Sequence, residues 1–387
     1  MKSVTLKKNQ DKRVLAGHPW VFSNEIGDVS EALELGEEVA VQSYQKRLIG
    51  RGFYHPRSLI AVRLMTRNDE PIDKRLWVER LRRAWSFRRR IYPQHECYRV
   101  IFGESDGISG LVVDKYGSLL VVQVFSAGIE RRKQMVLDAL IEVFNPRCVI
   151  ARNDFVAREQ EGLPQSKELW FGEMPEAQWI EQDAIRFWVD SWNGQKTGFF
   201  FDQRDNRVAL QQYVTNQRVL DCFSYSGGFA LYSAAGAARS VLAVDASSEA
   251  LKGAEVNFKE NRCQRICSLC QADIFEFLKQ TRDRYDVVVL DPPALVKRKI
   301  SLKEGLRGYQ NLNQRALARV EPGGILATCC CSYHVTEEDF RAQLVEAARR
   351  AGREIQLLES RTQARDHPIL LAVRETSYLK CLLLRVL

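Results

Sequence analysis

The segment that decides the fold is Val219-Leu220-Asp221-Cys222-Phe223-Ser224-Tyr225-Ser226-Gly227-Gly228. It reads as an apolar strand that enters a glycine-containing turn and then a helix. Glycine in such a turn allows a ligand to approach the backbone closely, and the first N–H groups of the helix are free to bind it. A second strand follows and ends at Asp245. A carboxylate at that place can accept both hydroxyl groups of a bound ribose.

Strand and helix signals continue to alternate after this segment. The strand signals lie at Ser240–Asp245, Ile266–Ala272, Asp286–Leu290 and Ile325–Cys330. Such alternation predicts an α/β domain with a parallel-rich central sheet and helices on both faces. The spacing from Asp221 to Gly228 is similar to the D-x-x-x-x-x-G-G turn of Rossmann-like class I methyltransferases, and it differs from the G-x-G-x-x-G fingerprint of dinucleotide enzymes. A plain structural turn followed by a surface aspartate is the alternative.

Two further segments indicate a nucleoside cofactor. Asp273 and Ile274 follow the third strand, where this class of enzymes usually holds the adenine. Gly194–Arg204 places three consecutive aromatic residues among charged and polar ones, which is hard to explain as core, and we interpret it as a lid over the cofactor. The candidate cofactor-binding residues are Lys196, Thr197, Gln203, Arg204, Asp221, Phe223, Ser224, Tyr225, Gly227, Asp245, Asp273, Ile274 and Asp291.

The turn Asp291-Pro292-Pro293-Ala294 follows an apolar strand. Its two prolines fix the backbone at the carboxyl end of that strand, which is the usual ligand face of such a sheet. Enzymes that methylate exocyclic amines carry an aromatic residue after this motif, to stack on the base. Ala294 stands at that position here, which argues against methylation of an exocyclic amine.

A run of three cysteines ends the following strand, at Cys329, Cys330 and Cys331. Carbon 5 of cytosine is a poor nucleophile until a thiolate adds to carbon 6, so its methylation needs a cysteine near a carboxyl group that holds or protonates ring N3. RNA cytosine-5 methyltransferases have G-G-(x)6-C-S on this strand, and counting from Gly324 selects Cys331, followed by Ser332. Cys331 and Asp291 are therefore the candidate catalytic residues. Cys329 shares a strand face with Cys331 and is the alternative nucleophile, whereas Cys330 fits a core position.

A second group of cysteines offers a different interpretation. Cys263, Cys267 and Cys270 have the C-x3-C-x2-C spacing of iron–sulfur clusters in radical enzymes. Here the segment enters the third strand of a Rossmann-like sheet instead of the first strand of a barrel. We therefore predict no cluster and no metal.

Composition indicates where in the cell the protein acts and which kinds of partner it binds. The 387 residues suffice for two or three domains, and a net charge of +8 fits a polyanionic partner without proving one. No signal peptide is recognised, and no apolar run approaches the roughly 20 residues that span a bilayer, so no membrane partner is expected. Ten cysteines, three of them consecutive, suit a reducing cytoplasm better than a disulfide framework. A homodimer is left open.

Three blocks are predicted along the chain. Residues 1–70 hold short β-rich runs, such as Glu38–Val41 and Ile60–Leu64, that predict a small β-barrel. Residues 71–185 form a mixed α/β domain that opens with a basic helix at Lys74–Ile91, and residues 186–387 form the Rossmann-like domain. Arginines surround the apolar face of the basic helix, and a solvated surface and an RNA contact are equally good explanations for them. These arginines are Arg80, Arg82, Arg83, Arg88, Arg89 and Arg90.

Several motifs spread over nearly the whole chain resemble one family. They are His18–Phe22, Gly103–Leu111, Lys196-Thr197-Gly198, Asp202-Gln203-Arg204, Cys222–Tyr225, Asp291-Pro292-Pro293 and Arg307-Gly308-Tyr309. Their combination resembles the bacterial large-subunit ribosomal RNA methyltransferase I family of cytosine-5 enzymes. The resemblance implies S-adenosylmethionine as cofactor, 23S ribosomal RNA as substrate, a PUA-like RNA-binding domain at residues 1–70, and Cys331 as nucleophile.

This sequence departs from the family and its relatives at two positions. Cys330 replaces a serine of the family motif, which leaves neighbouring thiols as alternatives, and Ala294 stands where other RNA cytosine-5 families have a second cysteine. Release of an enzyme–base adduct is therefore not expected to need a second thiol.

The candidate RNA-binding residues beside the active site are Lys297, Arg298, Lys299 and Arg307. Two rival functions remain at this point. A related enzyme that methylates guanine predicts that removal of Cys331 has no effect. An RNA-binding protein that retains the cofactor fold without turnover predicts RNA retention with no methyl transfer.

Overall fold

The computed structural model describes residues 1–174, 178–296 and 298–387. The chain divides into two compact units. Unit 1 comprises Met1–Ile180, Val189–Phe201 and Asp366–Thr376, and unit 2 comprises Glu181–Trp188, Asp202–Arg365 and Ser377–Leu387. The three-domain division at residues 70 and 185 stays a prediction. Within the described ranges, no helix has the length and apolar character that a membrane crossing requires.

Unit 1 begins with a six-stranded sheet. Its elements are β1 (Ser3–Leu6), α1 (Lys12–Leu15), β2 (Trp20–Phe22), β3 (Ile26–Val29), β4 (Glu38–Gln42), β5 (Leu48–Tyr54) and β6 (Ile60–Thr66). The strand order is β2-β6-β5-β4-β1-β3. Val39 and Val41 alternate along β4 into a small apolar core, as expected for a half-buried strand. Gly52 allows β5 and β6 to pair closely, because a Cβ there would collide with the carbonyl oxygen of Arg63.

A second sheet of unit 1 carries helices. The elements are α2 (Lys74–Ile91), β7 (Cys97–Phe102), β8 (Leu111–Tyr116), β9 (Leu119–Val124), α3 (Ala127–Glu130), α4 (Lys133–Phe144), β10 (Cys148–Asn153) and β11 (Ser166–Gly172), with strand order β11-β10-β9-β8-β7. Helix α2 has the predicted bounds and is capped by Asp73, whose side chain accepts from the N–H of Leu76. The sequence pattern predicts a helix from about Glu130 to Phe144, and α4 ends at Phe144 as predicted but starts at Lys133, after the short helix α3.

Arg88 of α2 is the charged residue that the basic helix buries. It is fully buried, and its Nη2 donates to the Asp106 carboxylate at 2.8 Å and to the carbonyl oxygen of Asp366 at 2.7 Å. Arg88 is therefore structural, and only the other arginines of α2 remain candidates for RNA contact.

Unit 2 is built on a seven-stranded sheet. A separate two-stranded sheet precedes it in the chain, and of its strands residues 178–180 and Val189 are counted with unit 1. The elements are β12 (Gln178–Gln182), β13 (Ile185–Val189), α5 (Arg204–Leu210), β14 (Arg218–Cys222), α6 (Gly228–Ala235), β15 (Ser240–Asp245), α7 (Ser248–Glu260), β16 (Cys267–Gln271), α8 (Ile274–Gln280), β17 (Tyr285–Leu290), α9 (Leu302–Leu317), β18 (Val320–Cys330), α10 (Glu337–Ala351), β19 (Ile355–Arg361) and β20 (Lys380–Val386). The seven-stranded order is β16-β15-β14-β17-β18-β20-β19.

The first five of these strands are parallel, and β20 and β19 are antiparallel to their neighbours. The buried strands are nearly continuous apolar runs, as is usual when both faces of a sheet are covered. Alternate residues such as Leu220, Val288 and Leu326 pack in one core with α8, α9 and α10. The parallel-rich α/β sheet agrees with the prediction.

Candidate active site

Five candidate site residues lie at or just after the ends of five neighbouring strands. Asp273 follows β16, Asp245 ends β15, Phe223 follows β14, Asp291 follows β17 and Cys331 follows β18. Because these strands are parallel neighbours, their carboxyl ends form one edge of the sheet. Ligands of open α/β sheets bind at this edge.

The turn between β14 and α6 has an unusual backbone. Phe223, Tyr225 and Gly227 have positive φ angles of 62°, 50° and 81°, a conformation that only glycine adopts at little cost. Gly227 also needs to be small, because a Cβ there would lie 2.7 Å from the ring of Phe258. Two non-glycine residues held in this region are typical of functional turns.

The polar atoms of this edge fit a nucleoside cofactor. The N–H groups of Tyr225 and Ser247 each donate at 2.9 Å to one oxygen of the Asp245 carboxylate, which fixes its orientation and leaves lone pairs for ribose hydroxyls. The buried hydroxyl of Ser224 and one oxygen of Asp221 have no hydrogen-bond partner among the described residues. Buried polar atoms without a protein partner, next to a strained turn, can bind the polar groups of a nucleoside cofactor.

Asp221 is buried at the start of this turn. Burial, followed by the negative charges of Asp291 and Asp245, raises the pKa of the Asp221 carboxyl to about 8. A hydrogen bond from the N–H of Ala230, at 3.0 Å, and the guanidinium of Arg207 oppose this rise. Asp221 is therefore largely protonated at neutral pH.

The adenine-binding prediction falls on Asp273 and Ile274. Asp273 is exposed and caps α8, with its side chain accepting from the N–H of Glu276 at 3.0 Å. The side chain of Ile274 is buried in the core beneath the sheet edge. A role of these two residues in holding adenine stays a prediction.

The predicted lid residues divide between the two units. Lys196 and Thr197 belong to unit 1. The Thr197 hydroxyl is buried and donates to the Asp114 carboxylate at 2.6 Å, while the exposed Lys196 places its Nζ 4.6 Å from the ring centroid of Phe200. The Thr197 hydroxyl is thus already engaged within unit 1, and the lid stays a prediction.

Gln203 connects two parts of unit 2. Its Nε2 donates to Asp291 Oδ1 at 2.8 Å, and its Oε1 accepts from Asn206 at 2.7 Å. Arg204 instead forms a two-pronged ion pair with Asp183, the shorter contact being 2.7 Å. Gln203 therefore orients the Asp291 carboxylate. Cofactor contact by Gln203 or Arg204 stays a prediction.

The three consecutive thiols differ in exposure. Cys329 and Cys330 are buried, whereas Cys331 is partly exposed. A hydrogen bond with the thiol of Cys381 raises the pKa of Cys329, and burial raises it further, while burial raises the pKa of Cys330. Cys331 Sγ lies 3.6 Å from the carbonyl oxygen of Pro292, in the turn that carries Asp291. Of the three, Cys331 is the accessible thiol, and it contacts the turn that carries the candidate carboxylate.

Ser332 fastens the end of β18 to the Asp291 turn. Its hydroxyl accepts from the N–H of Val296 at 3.0 Å and lies 2.9 Å from the Tyr309 hydroxyl. Its carbonyl oxygen accepts from Lys380 Nζ at 2.9 Å. Sequence reasoning missed Lys380, although a lysine inside the apolar run Leu379–Leu384 is a visible signal.

The remaining candidates are peripheral to this geometry. Arg298, Lys299 and Arg307 are exposed, and Lys297 lies outside the described residues. The thiol of Cys263 donates to the carbonyl oxygen of Phe258 at 3.5 Å. In the part of the chain that the structure describes, no three His, Cys, Asp or Glu side chains are arranged to hold a metal.

Comparison with known proteins identifies the family. Residues 4–67 match the model of the PUA-like domain, and residues 106–385 match that of the S-adenosylmethionine-dependent methyltransferases. Proteins named Ribosomal RNA large subunit methyltransferase I, from Citrobacter koseri and Escherichia coli O157:H7, are each 38% identical over 99% of both chains. The chain belongs to the ribosomal RNA large subunit methyltransferase I family. Members of this family are S-adenosylmethionine-dependent enzymes, so the cofactor prediction is confirmed.

Solved structures support the fold of this methyltransferase. A protein from Streptococcus mutans described as a SAM-dependent methyltransferase superposes with a TM-score of 0.85 at 18% identity, covering 100% of both chains. A methyltransferase complexed with SAH gives a TM-score of 0.86, with the same identity and coverage. These likenesses concern the fold alone. Together with the family models they confirm the predicted Rossmann-like methyltransferase fold preceded by a PUA-like domain.

Proposed function

We propose that this methyltransferase places a methyl group on carbon 5 of a cytosine in 23S ribosomal RNA through a covalent adduct with Cys331. The observation that carries the proposal is the pairing of the one partly exposed thiol of the run with the turn that holds Asp291. The relatives' name, Ribosomal RNA large subunit methyltransferase I, supports the choice of RNA.

The thiolate of Cys331 adds to carbon 6 of the cytosine, and the displaced ring electrons make carbon 5 nucleophilic. S-adenosylmethionine, when bound, would supply the methyl group that carbon 5 takes up, and its sulfur would keep the electrons of the broken bond as S-adenosylhomocysteine. Loss of the carbon 5 proton to a base then breaks the carbon 6–sulfur bond and restores the thiolate. We assign Asp291 to ring N3, with Gln203 orienting its carboxylate. Ala294 offers no second thiol, so proton loss is the step that frees the product.

The RNA-binding proposal rests on exposed cations. Arg298, Lys299 and Arg307 form no ion pair within the described ranges, and with Lys297 they lie close in sequence to the Asp291 turn or on α9. In unit 1, Arg82 pairs with Glu142, whereas the exposed Arg83, Arg89 and Arg90 have no carboxylate within ion-pair distance among described residues. These unpaired arginines favour RNA contact over a merely solvated face. The family match supports residues 1–70 as a PUA-like RNA-binding domain.

Location and assembly are further parts of the proposal. A reducing cytoplasm suits ten free cysteines and a ribosomal RNA substrate. A homodimer stays a prediction, to be tested by the sedimentation of the purified chain.

The test of the reaction uses radiolabelled S-adenosylmethionine and 23S RNA. Wild type, Cys331→Ala and the matched control Cys329→Ala are incubated, and the labelled nucleoside is identified after digestion. We expect 5-methylcytidine from wild type and Cys329→Ala, and none from Cys331→Ala. Label in a guanosine, or methylation that survives loss of Cys331, would refute the thiol mechanism.

RNA that contains 5-fluorocytidine provides an independent test of the adduct. Fluorine cannot leave carbon 5 as a proton does, so the carbon 6–sulfur bond persists. We expect a protein–RNA band that survives denaturing electrophoresis and depends on Cys331. Its absence in an active wild-type reaction would contradict the covalent route.

A further inference from the structure

Lys380 is the first residue of β20 and lies opposite Cys330 of β18. Its side chain is buried, with 8% of the residue exposed. The ammonium donates to the carbonyl oxygens of Ser332 at 2.9 Å and Tyr378 at 3.1 Å. Within the described ranges Lys380 forms no ion pair, so its charge is buried against neutral partners.

Such a position is costly for the fold alone. A buried ammonium without a carboxylate loses hydration that two carbonyl oxygens replace incompletely, and a neutral donor would serve those oxygens at lower cost. Burial accordingly lowers the pKa of Lys380. The charge at this place therefore calls for a reason beyond packing.

The groups around Lys380 suggest the reason. Lys380 lies opposite Cys330 in the sheet and donates to the carbonyl oxygen of Ser332, the residue after Cys331. The thiols of Cys330 and Cys331 and, beyond ion-pair distance, the carboxylates of Glu337 and Asp339 raise the pKa of Lys380 against the effect of burial. Cys330 is buried in the core, so Cys331 is the one of these two thiols that a substrate can reach.

The described neighbours of Cys331 in the Asp291 turn do not favour a thiolate. The carbonyl oxygen of Pro292 lies 3.6 Å from its sulfur and presents a partial negative charge. Asp291 belongs to the same turn, and Tyr309 approaches through Ser332 with a neutral hydroxyl. Lys380 is a buried cation close in the fold to Cys331, and a cation near a cysteine favours its thiolate.

We propose that Lys380 is a positioning residue, which stabilises the thiolate of Cys331 and fixes the Ser332–Tyr333 peptide that follows it. The inference rests on the proposed function, in which Cys331 is the nucleophile. Without Lys380, less of Cys331 is ionised at neutral pH, and the addition to carbon 6 slows.

The test measures the ionisation of Cys331 directly. Full-length enzyme without RNA is labelled with iodoacetamide across a pH series, and the Cys331 peptide is quantified by mass spectrometry. In wild type we expect a midpoint below the ordinary thiol value of about 8.5. A wild-type midpoint at or above that value overturns the proposal without any variant.

Three variants separate charge from packing. Lys380→Gln keeps a donor without the charge, Lys380→Met keeps the volume without either, and Lys380→Arg keeps the charge. We expect the first two to raise the midpoint by about one pH unit, which is about tenfold less thiolate at neutral pH, and Lys380→Arg to stay near wild type. Loss of stability with an unmoved midpoint would show a purely structural lysine and overturn the proposal.

Turnover distinguishes this inference from the proposed function. The acidic limb of the pH profile of kcat should move upward with the labelling midpoint in Lys380→Gln, while the KM for RNA stays the same. If Cys331→Ala still methylates RNA, the proposed function fails. The labelling midpoints still decide whether Lys380 controls the thiol.

Discussion

The buried carboxyl of Asp221 makes the stability of unit 2 dependent on pH. Its pKa is raised to about 8 in the folded chain, whereas an unfolded aspartate titrates near about 3.9. Between these values the folded state holds one proton that the unfolded state has released. The stabilisation is therefore complete below about pH 4 and is lost as the pH rises through about 8, at about 1.4 kcal/mol per pH unit.

Asp221→Asn isolates this effect. Asparagine retains the size and an acceptor for the N–H of Ala230, which now donates to Asp221 at 3.0 Å, but it does not titrate. The variant should therefore lack the slope of about 1.4 kcal/mol per pH unit that wild type shows. At about pH 6, wild type should release one more proton on unfolding than the variant does.

Proton release is the better measurement, because a chain of two units need not unfold in one step. Calorimetric unfolding in buffers of different ionisation enthalpy gives the number of protons released by each protein. Equal proton release from wild type and Asp221→Asn would show that Asp221 is ionised in the folded state. The assignment of its raised pKa to burial and neighbouring carboxylates would then be refuted.

Three further predictions concern single side chains. Gln203→Leu removes a hydrogen bond to a carboxylate and should lower kcat about tenfold to a hundredfold with little change in the KM for cofactor, and an unchanged kcat would contradict this. Arg88→Met leaves the buried Asp106 carboxylate without its cation and should lower the free energy of unfolding of unit 1 by about 3–5 kcal/mol in denaturant. The control Arg89→Met, at an exposed position, should change that free energy by less than about 0.5 kcal/mol. Thr336→Ala removes the capping box of α10 and should cost about 1 kcal/mol in the same assay.

Much of the fold is predictable where the signal is local. The strand ending at Asp245 and the helix Lys74–Ile91 have the bounds that their apolar patterns predict. The strand before Asp291 differs by one residue, since β17 starts at Tyr285. These bounds can be predicted because each kind of burial has its own pattern. A strand buried on both faces is a continuous apolar run, whereas a helix buried on one face has apolar residues every three or four positions.

Features set by distant contacts were not predicted. β20 enters the sheet between β18 and β19, a strand order that depends on pairing across the chain and not on the residues of β20 itself. The predicted helix start near Glu130 differs from the start of α4 because the chain first forms the short helix α3, capped by Ser126, and turns at Arg131 and Arg132. Tertiary contacts override local preference at such places.

The candidate site also contains residues that local motifs predict and residues that only distant contacts identify. Motif spacing selected Cys331 among three thiols, and the structure adds the burial of Cys329 and Cys330 as a physical reason. The roles of Gln203 and Lys380 depend on partners far away in sequence, and only the folded chain brings these together.

The position of β20 has a consequence for synthesis on the ribosome. β19 pairs with β20 and not with β18, so β18 and β19 are separated until residues 380–386 have been made. Until then β18 presents an unpaired edge with Leu326 and Thr328 on it, and such edges pair with other chains. A nascent chain that stalls before Lys380 should therefore aggregate or recruit chaperones, and prematurely terminated products should be degraded instead of accumulating as partly active enzyme.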